Sequence, residues 1–223
     1  RFAAERQPDG SVRMTLPDGS TVSTLDADRD QRVSAALGHP VSLSELPEPG
    51  DLDHFRRGAP DSDDVMGELR GNFGRDEDEP LPDLSIFPPE IIEFESPPGT
   101  HHDAFPLLIM TTSALRTLAE SLPESAIDVR RFRPSLVVDT GDEQGHPELS
   151  GPGRRMAIGS VVLDLPAACP RCVMVTLPID DAVPEDRAVL RHIVRELDQN
   201  LGVYATVAVP GPIAVGDEVT FLD

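Results

Sequence analysis

Between residues 45 and 95 the chain becomes too acidic and too rich in proline to contribute much to a hydrophobic core. This stretch holds sixteen acidic residues against four arginines, and Arg75-Asp76-Glu77-Asp78-Glu79-Pro80 is its most polar run. Such a segment buries too little apolar surface to offset the entropy that it loses on ordering. We therefore interpret it as a solvated linker or insertion, with an acidic lid or docking loop as the alternative.

On both sides of this stretch the sequence shows short apolar runs separated by turn residues. Before it, residues 11–16 and 21–23 predict a hairpin, a helix ending at Gly38 follows, and residues 39–46 predict a strand. Beyond the most acidic run, strands are predicted at residues 90–95, 104–110, 128–139 (interrupted at Pro134), 156–165, 173–177, 203–209 and 219–222, and helices after Thr111 and Pro184. The predicted fold class is mainly β with a few helices (α+β), and the C-terminal half suits a compact barrel.

Composition excludes several classes of partner. The chain has 40 acidic and 19 basic residues, with a formal net charge of −21, so it lacks the basic face that nucleic acid or an anionic membrane surface requires. No apolar run approaches the roughly 18 residues of a membrane span, and no signal peptide is visible. Two cysteines do not make a disulfide scaffold, so we expect a cytoplasmic protein. Because the chain opens on Arg1 in strand-like sequence, we also expect its natural start to lie further upstream.

The only two cysteines lie in the loop Cys169-Pro170-Arg171-Cys172. A cationic neighbour favours the thiolate, so each sulfur is a candidate ligand or nucleophile. The spacing is that of a redox pair, but a thioredoxin-like motif opens a helix, whereas a strand is predicted here. Half of a zinc site, completed by His101-His102-Asp103, is a second alternative, and two buried inert thiols are a third.

Two further features are candidates for binding. The run Arg130-Arg131-Phe132-Arg133-Pro134 is basic in an acidic protein, and it is either an anion-binding element or a solvated face paired with local carboxylates. Tyr204 is the only tyrosine and follows Gly202 in a predicted strand, where a half-buried packing role is the simpler interpretation.

Five short motifs follow one another in the C-terminal half of the chain: Phe132-Arg133-Pro134, Ala157-Ile158-Gly159, Pro170-Arg171-Cys172-Val173-Met174-Val175-Thr176, Leu201-Gly202-Val203-Tyr204 and Pro210-Gly211-Pro212-Ile213-Ala214-Val215-Gly216-Asp217. In this order they resemble the MOSC family, which is named for the C-terminal domain of molybdenum-cofactor sulfurase. The resemblance covers about residues 100 to 223, and the region before it is similar to the small β-barrel domain that precedes MOSC in the amidoxime-reducing-component branch. It implies a MOSC β-barrel domain at residues 90–223, an acidic proline-rich linker or insertion at 47–89, and a small, N-terminally truncated β-barrel-like domain at 1–46.

This resemblance also implies roles for single residues. Cys172 becomes the protein ligand of molybdenum and the catalytic residue, and a thiolate is a soft ligand suited to such a metal. Arg133 is expected at the anionic end of the pterin, and the turn at Thr111 and Thr112 is expected to hold phosphate at a helix start. The residues implied to complete the set that binds the molybdenum cofactor (Mo-molybdopterin) are Pro170, Arg171 and Tyr204.

The function that the resemblance implies is that of a molybdenum-dependent oxidoreductase. It would reduce N-hydroxylated small molecules with electrons from an iron–sulfur or flavin donor protein. The alternative from a different class is a non-catalytic carrier of molybdenum cofactor or sulfur, which would use a Cys172 persulfide. A degenerate scaffold without either activity is the third hypothesis.

Overall fold

The computed structural model describes residues 2–60 and 62–222 and divides into two compact units, one ending at His54 and the other beginning at Phe55. The first unit contains an antiparallel sheet of three strands in sequence order and one helix. The predicted domain limits at residues 46 and 89 stay predictions. The elements of this unit are β1 (Ala3–Arg6), β2 (Val12–Thr15), β3 (Thr21–Ser23) and α1 (Arg29–Leu37).

The first unit confirms the predicted hairpin and helix but not the predicted strand at residues 39–46. Leu16, Val22 and Val33 form its small buried core. Residues 39–46 are irregular because side chains of α1 satisfy their backbone donors: the Val41 N–H donates to Ser34 Oγ (2.9 Å) and the Leu43 N–H to Asp30 Oδ1 (3.0 Å). The segment therefore needs no neighbouring strand.

A short helix, α2 (Leu52–Phe55), contains the boundary between the units, and the acidic stretch continues through α3 (Val65–Phe73) and α4 (Pro89–Glu93). The predicted strand at residues 90–95 is wrong, since α4 occupies this place. Pro89 stands at the first position of that helix, where its fixed φ suits helix entry and its missing N–H costs nothing. The acidic stretch also buries Arg75 and Glu79, which a solvated linker would leave exposed.

The remainder of the second unit is a curled sheet with two helices against it. The sheet runs in the order β10-β6-β7-β9-β4-β5, with β8 also paired to β9, and only the β4–β5 pair is parallel. The fold class is confirmed: strands form a half-barrel, and a few helices accompany it. The elements are β4 (Leu107–Thr111), α5 (Thr112–Ser121), β5 (Leu136–Val138), β6 (Arg155–Ile158), β7 (Val161–Asp164), β8 (Ala168–Pro170), α6 (Arg187–Glu196), β9 (Asn200–Val209) and β10 (Val219–Leu222). The strand predicted at residues 128–139 is present only as β5, because its first part forms a 3₁₀-helix, Val129–Arg131, which Asp128 caps.

Two hydrophobic clusters lie on opposite sides of this sheet, because side chains alternate along its strands. Ile109 and Val203 belong to the cluster inside the half-barrel, whereas Met110 and Leu201 belong to the one under α5 and α6. Leu201 and Val203 are two residues apart in β9 yet belong to different clusters, because the regular alternation is interrupted at Gly202 between them. Gly202 has φ +83°, and an added Cβ would lie 2.9 Å from the Ile109 carbonyl oxygen. Only glycine lets β9 approach β4 so closely at this point.

The segment after Cys172 is a 3₁₀-helix, Val173–Thr176, and the strand predicted at residues 173–177 is wrong. The Val175 N–H donates to the Cys172 carbonyl (3.4 Å) and Thr176 Oγ1 donates to the Val173 carbonyl (2.8 Å). The buried face of this helix packs against α6, so its valines serve a helix contact instead of a sheet. Tertiary packing has overridden the β propensity of the run.

Candidate functional site

Cys172 occupies the junction between β8 and the 3₁₀-helix. Its backbone is extended (φ −106°, ψ −179°), and its side chain does not cap the helix that it precedes. Cys172 is partly exposed, whereas Cys169 is only 4% exposed, and both are free thiols. Pro170 lies between them as the last residue of β8 and is partly buried. Of the two sulfurs, Cys172 is thus the one that a ligand can reach.

The buried side chain of Arg171 links the cysteine loop to the loop before Arg133. Its Nη1 donates to Cys169 Sγ (3.1 Å) and its Nη2 to the Phe132 carbonyl (2.8 Å). The guanidinium also lies over the Phe132 ring, with Cζ 5.5 Å from the ring centroid. Only 6% of Arg171 is exposed, so its guanidinium interacts with the two loops and not with solvent.

Arg133 differs from Arg171 in being exposed. Its backbone is left-handed (φ 54°), a conformation that costs a residue with a Cβ about 1–2 kcal/mol. Among residues 2–60 and 62–222, its guanidinium makes no hydrogen bond or ion pair. The loop is held by Arg131, a buried neighbour whose Nη1 donates to the Val175 and Leu177 carbonyls at 3.3 Å each. A strained but supported turn thus leaves one guanidinium available for an anion.

Tyr204 lies in β9 and packs against two other aromatic side chains, Phe87 and Phe105. Its ring centroid lies 5.0 Å from that of Phe105 and 6.2 Å from that of Phe87, and the latter pair is edge-to-face. Burial raises the pKa of the Tyr204 hydroxyl, and the neighbouring Cys169 sulfur raises it further. The Cys169 sulfur therefore lies between a phenol and the Arg171 guanidinium, and Cys169 organises the loop from inside.

Thr111 and Thr112 stand at the start of α5, as predicted, but their hydroxyls are engaged within the protein. Thr111 Oγ1 accepts from the Ala114 N–H (3.1 Å) and donates to Glu148 Oε2 (2.7 Å). Thr112 Oγ1 donates to Asp139 Oδ1 at 3.2 Å. In the described part of the chain, no hydrogen bond or ion pair links either threonine to the Cys172 loop. A phosphate role for this turn stays a prediction.

Glu148 is a buried carboxylate beside Thr111 that the sequence analysis missed. It is 1% exposed, and its Oε1 has no hydrogen-bond partner among the described residues. Burial raises the pKa of this carboxyl, while the hydrogen bond from Thr111 lowers it. A buried carboxylate at the helix start opposes binding of a second anion there.

Arg75 is the second residue that the sequence analysis missed. It is 6% exposed, and its Nη2 donates to the Arg171 carbonyl at 3.1 Å. Burial lowers the pKa of the Arg75 guanidinium, as does the nearby Arg191, whereas Glu79 and the Cys172 thiol raise it. The sequence did contain one sign of this role, an arginine directly after Gly74, which ends α3 in a left-handed conformation. The acidic residues around Arg75 instead favoured the interpretation as a solvated linker.

A cleft of about 250 Å³ lies beside the 3₁₀-helix that follows Cys172. Helix α6 forms one wall, and the end of α3 forms the other. Asp76 and Glu79 pair with Arg191 of α6, which joins the two walls. The lining residues are Arg70, Gly71, Gly74, Arg75, Val173, Thr176, Leu177, Glu185, Arg187, Leu190 and Arg191.

The structure thus gathers most of the predicted site residues around one loop. Arg171 connects Cys169 to the turn that carries Arg133, and Tyr204 contacts Cys169 from behind. Among residues 2–60 and 62–222, no three His, Cys, Asp or Glu side chains converge as a metal-binding group. No helix within those same residues has the length and apolar character to cross a membrane.

Comparison with known proteins places this geometry in context. The MOSC domain model matches residues 98–220, which is more than half of the chain. Mitochondrial amidoxime reducing component 2 from Macaca fascicularis and that from Homo sapiens are each 31% identical to it over 132 residues. These matches cover 52% of this chain but 37% of each relative, so the chain spans little more than a third of the length of these relatives.

Proposed function

Since this chain belongs to the MOSC domain family, we propose that it holds a molybdenum cofactor through the Cys172 thiolate and reduces N-hydroxylated small molecules. The observation that carries the proposal is a partly exposed, uncapped Cys172 in a loop that two buried arginines brace. Arg75 donates to the Arg171 carbonyl, and the Arg171 side chain donates to the Phe132 carbonyl. The amidoxime-reducing relatives support the choice of substrate class.

The residues present suit this cofactor. Among the described residues Cys172 belongs to no group of three or more His, Cys, Asp or Glu side chains, and a lone thiolate suits a metal that arrives with its own sulfur ligands. The unpaired Arg133 guanidinium offers a planar fork that matches a phosphate. The pterin cofactor brings both of these chemistries, a sulfur-rich metal and an anionic end.

Each residue then has a defined task. Cys172 is the ligand, Arg133 binds the anionic end, and Arg171 holds these two loops together without contacting the cofactor. Tyr204 supports the loop through Cys169, and Pro170 fixes the turn between the cysteines. When bound, the cofactor supplies two-electron exchange between an iron–sulfur or flavin donor protein and the N–O bond of the substrate.

Molybdenum and pterin content test this proposal directly. The chain is produced in cells that make molybdenum cofactor, as wild type, Cys172→Ala and Cys169→Ala. We expect stoichiometric molybdenum and pterin in the wild type, loss of the metal in Cys172→Ala and most of it kept in Cys169→Ala. Folded wild type without molybdenum would overturn the proposal.

The same samples address the alternative of a carrier. Sulfane sulfur that cyanide releases from the wild type, without molybdenum and absent in Cys172→Ala, would indicate a persulfide carrier. Turnover of benzamidoxime with a chemical reductant would support the oxidoreductase. The cytoplasmic location, the lack of nucleic-acid and membrane partners and the identity of the donor protein stay predictions.

A further inference from the structure

Gly74 and Arg75, from the acidic stretch, contact the residues on both sides of Cys172. Gly74 is left-handed (φ +60°), and an added Cβ would lie 3.3 Å from Val173 Cβ and 2.8 Å from Leu190 Cδ2. Arg75 reaches the residue before Cys172, since its Nη2 donates to the Arg171 carbonyl. Both residues precede the region that the MOSC domain model matches.

The carbonyl that Arg75 binds belongs to the peptide unit that joins Arg171 to Cys172. The Arg171 N–H donates to the Gln199 carbonyl (2.9 Å), so both backbone groups of Arg171 are held. Arg75 Nε also donates to Gln199 Oε1 (3.2 Å). Arg75 and Gln199 therefore fix the orientation of the backbone from which Cys172 projects.

Gln199 is itself held in an unusual conformation. Its φ is 70°, in the left-handed region, and its N–H donates to the Ile193 carbonyl of α6 at 3.0 Å. The turn from α6 into β9 thus carries strain to present one carbonyl to Arg171 and one side-chain oxygen to Arg75.

The burial of the Arg75 guanidinium is unfavourable for the stability of the fold. Arg75 is 6% exposed, and its donors go to Gln199 and to the carbonyls of Phe73 and Arg171, all of them neutral. Burying a charge against neutral groups costs more than burying an apolar side chain of similar size. A guanidinium does offer several donors in one rigid plane, which an apolar residue cannot.

We propose that Arg75 is a positioning residue for Cys172, and that the acidic stretch belongs to the functional site through it. Arg75 locks the Arg171–Cys172 peptide unit, so that the thiol is held ready for its ligand. The effect on metal binding rests on the proposed function, but the effect on the loop does not.

The test compares Arg75→Gln with the matched control Arg70→Gln in the full chain. Arg70 also lines the cleft, but its Nη1 donates to the Asp76 and Glu79 carbonyls, within its own segment. Two properties are measured without cofactor: amide hydrogen exchange across residues 171–176 and the rate of Cys172 alkylation. Trypsin cleavage after Arg171 places the two cysteines in different peptides, so each thiol reports separately.

We expect Arg75→Gln to speed exchange in this loop and to change Cys172 alkylation by on the order of tenfold, the loss of one charged hydrogen bond. Arg70→Gln should leave both rates near those of the wild type. No change in Arg75→Gln, or equal changes in the two variants, would overturn the proposal. Arg75→Lys, which keeps the charge and one donor, should restore part of the wild-type rate.

Two further measurements show whether a negative result comes from misfolding of Arg75→Gln, from failure of the proposed function, or from failure of the positioning role. If Arg75→Gln does not fold, Gln199→Gly keeps the backbone carbonyl but removes the Nε partner, and it should loosen the loop by a smaller factor. In cofactor-loaded samples, Arg75→Gln should hold less molybdenum than Arg70→Gln. If Arg75→Gln loosens the loop but the wild type takes up no metal, the positioning role stands and only the proposed function is rejected.

Discussion

The Cys172 loop and the Thr111 turn are both junctions between a strand and a helix, and the resemblance to the MOSC family implied that both would contact the cofactor. They differ in how their polar groups are used. At Thr111 the hydroxyl caps α5 and binds a buried carboxylate, Glu148, so its capacity is already filled. At Cys172 the thiol caps nothing, and the residue is partly exposed. A polar residue before a helix therefore indicates a ligand site only where the fold leaves it without an internal partner.

The strongest challenge to this contrast is Cys172→Ser compared with Cys169→Ser. We expect Cys172→Ser to lose benzamidoxime reduction entirely, because a hydroxyl is a poor ligand for a soft metal centre. Cys169→Ser should keep most of the activity, since Cys169 only joins Arg171 to Tyr204. Steady-state turnover with a chemical reductant measures both, and equal losses would point to a cysteine pair acting as a unit.

Thr111→Val should show that the Thr111 turn stabilises the fold and does not bind a ligand. The change removes an N-cap and a hydrogen bond to a buried carboxylate, so we expect a loss of about 2–3 kcal/mol in the free energy of unfolding. Thr112→Val, the matched control on a partly exposed hydroxyl, should cost less than about 1 kcal/mol. Urea unfolding measures the difference. A stable Thr111→Val protein that lacks cofactor would instead assign this turn to binding.

Arg133→Gln sharpens the contrast on the side of the Cys172 loop. Removing the unpaired guanidinium should weaken retention of the pterin by roughly tenfold, the effect of one charge-assisted hydrogen bond. Arg130→Gln is the control, because Arg130 pairs with Asp128 (2.8 Å) and Asp180 (2.7 Å) at the surface. Cofactor retained during dialysis is the measurement, and equal retention in the two variants would remove Arg133 from the site.

The smallest expected effect is the contribution of Glu148 to the pH dependence of protein stability. Because burial raises the pKa of this carboxyl, its protonated form is favoured in the folded state. Wild-type stability should therefore fall as pH rises from about 4.5 through the raised value. Glu148→Gln should lose this part of the pH dependence, as measured by unfolding midpoints from pH 4 to 8. An unchanged slope would show that Glu148 does not titrate in this range.

Much of the fold was predictable because the relevant signals are local. Turn residues and apolar spacing placed the β2–β3 hairpin and α6, and the hydroxyl of Thr111 placed the start of α5. The 3₁₀-helix after Cys172 was mispredicted as a strand because its valines favour strands, while their actual partner, α6, lies further along the chain. Packing against a helix decided between two structures that the same residues could adopt.

For the site, the residues alone left both cysteines as candidates, and it was the resemblance to the MOSC family, through short contiguous motifs, that singled out Cys172, Arg133 and Tyr204. Local sequence could not show that Arg171 is buried between two loops or that Thr111 is committed to Glu148. The role of Arg75 depended on a carbonyl 96 residues away. Burial and long-range hydrogen bonds form only when the chain folds, so which polar groups are used internally and which remain for a ligand was decided by tertiary structure alone.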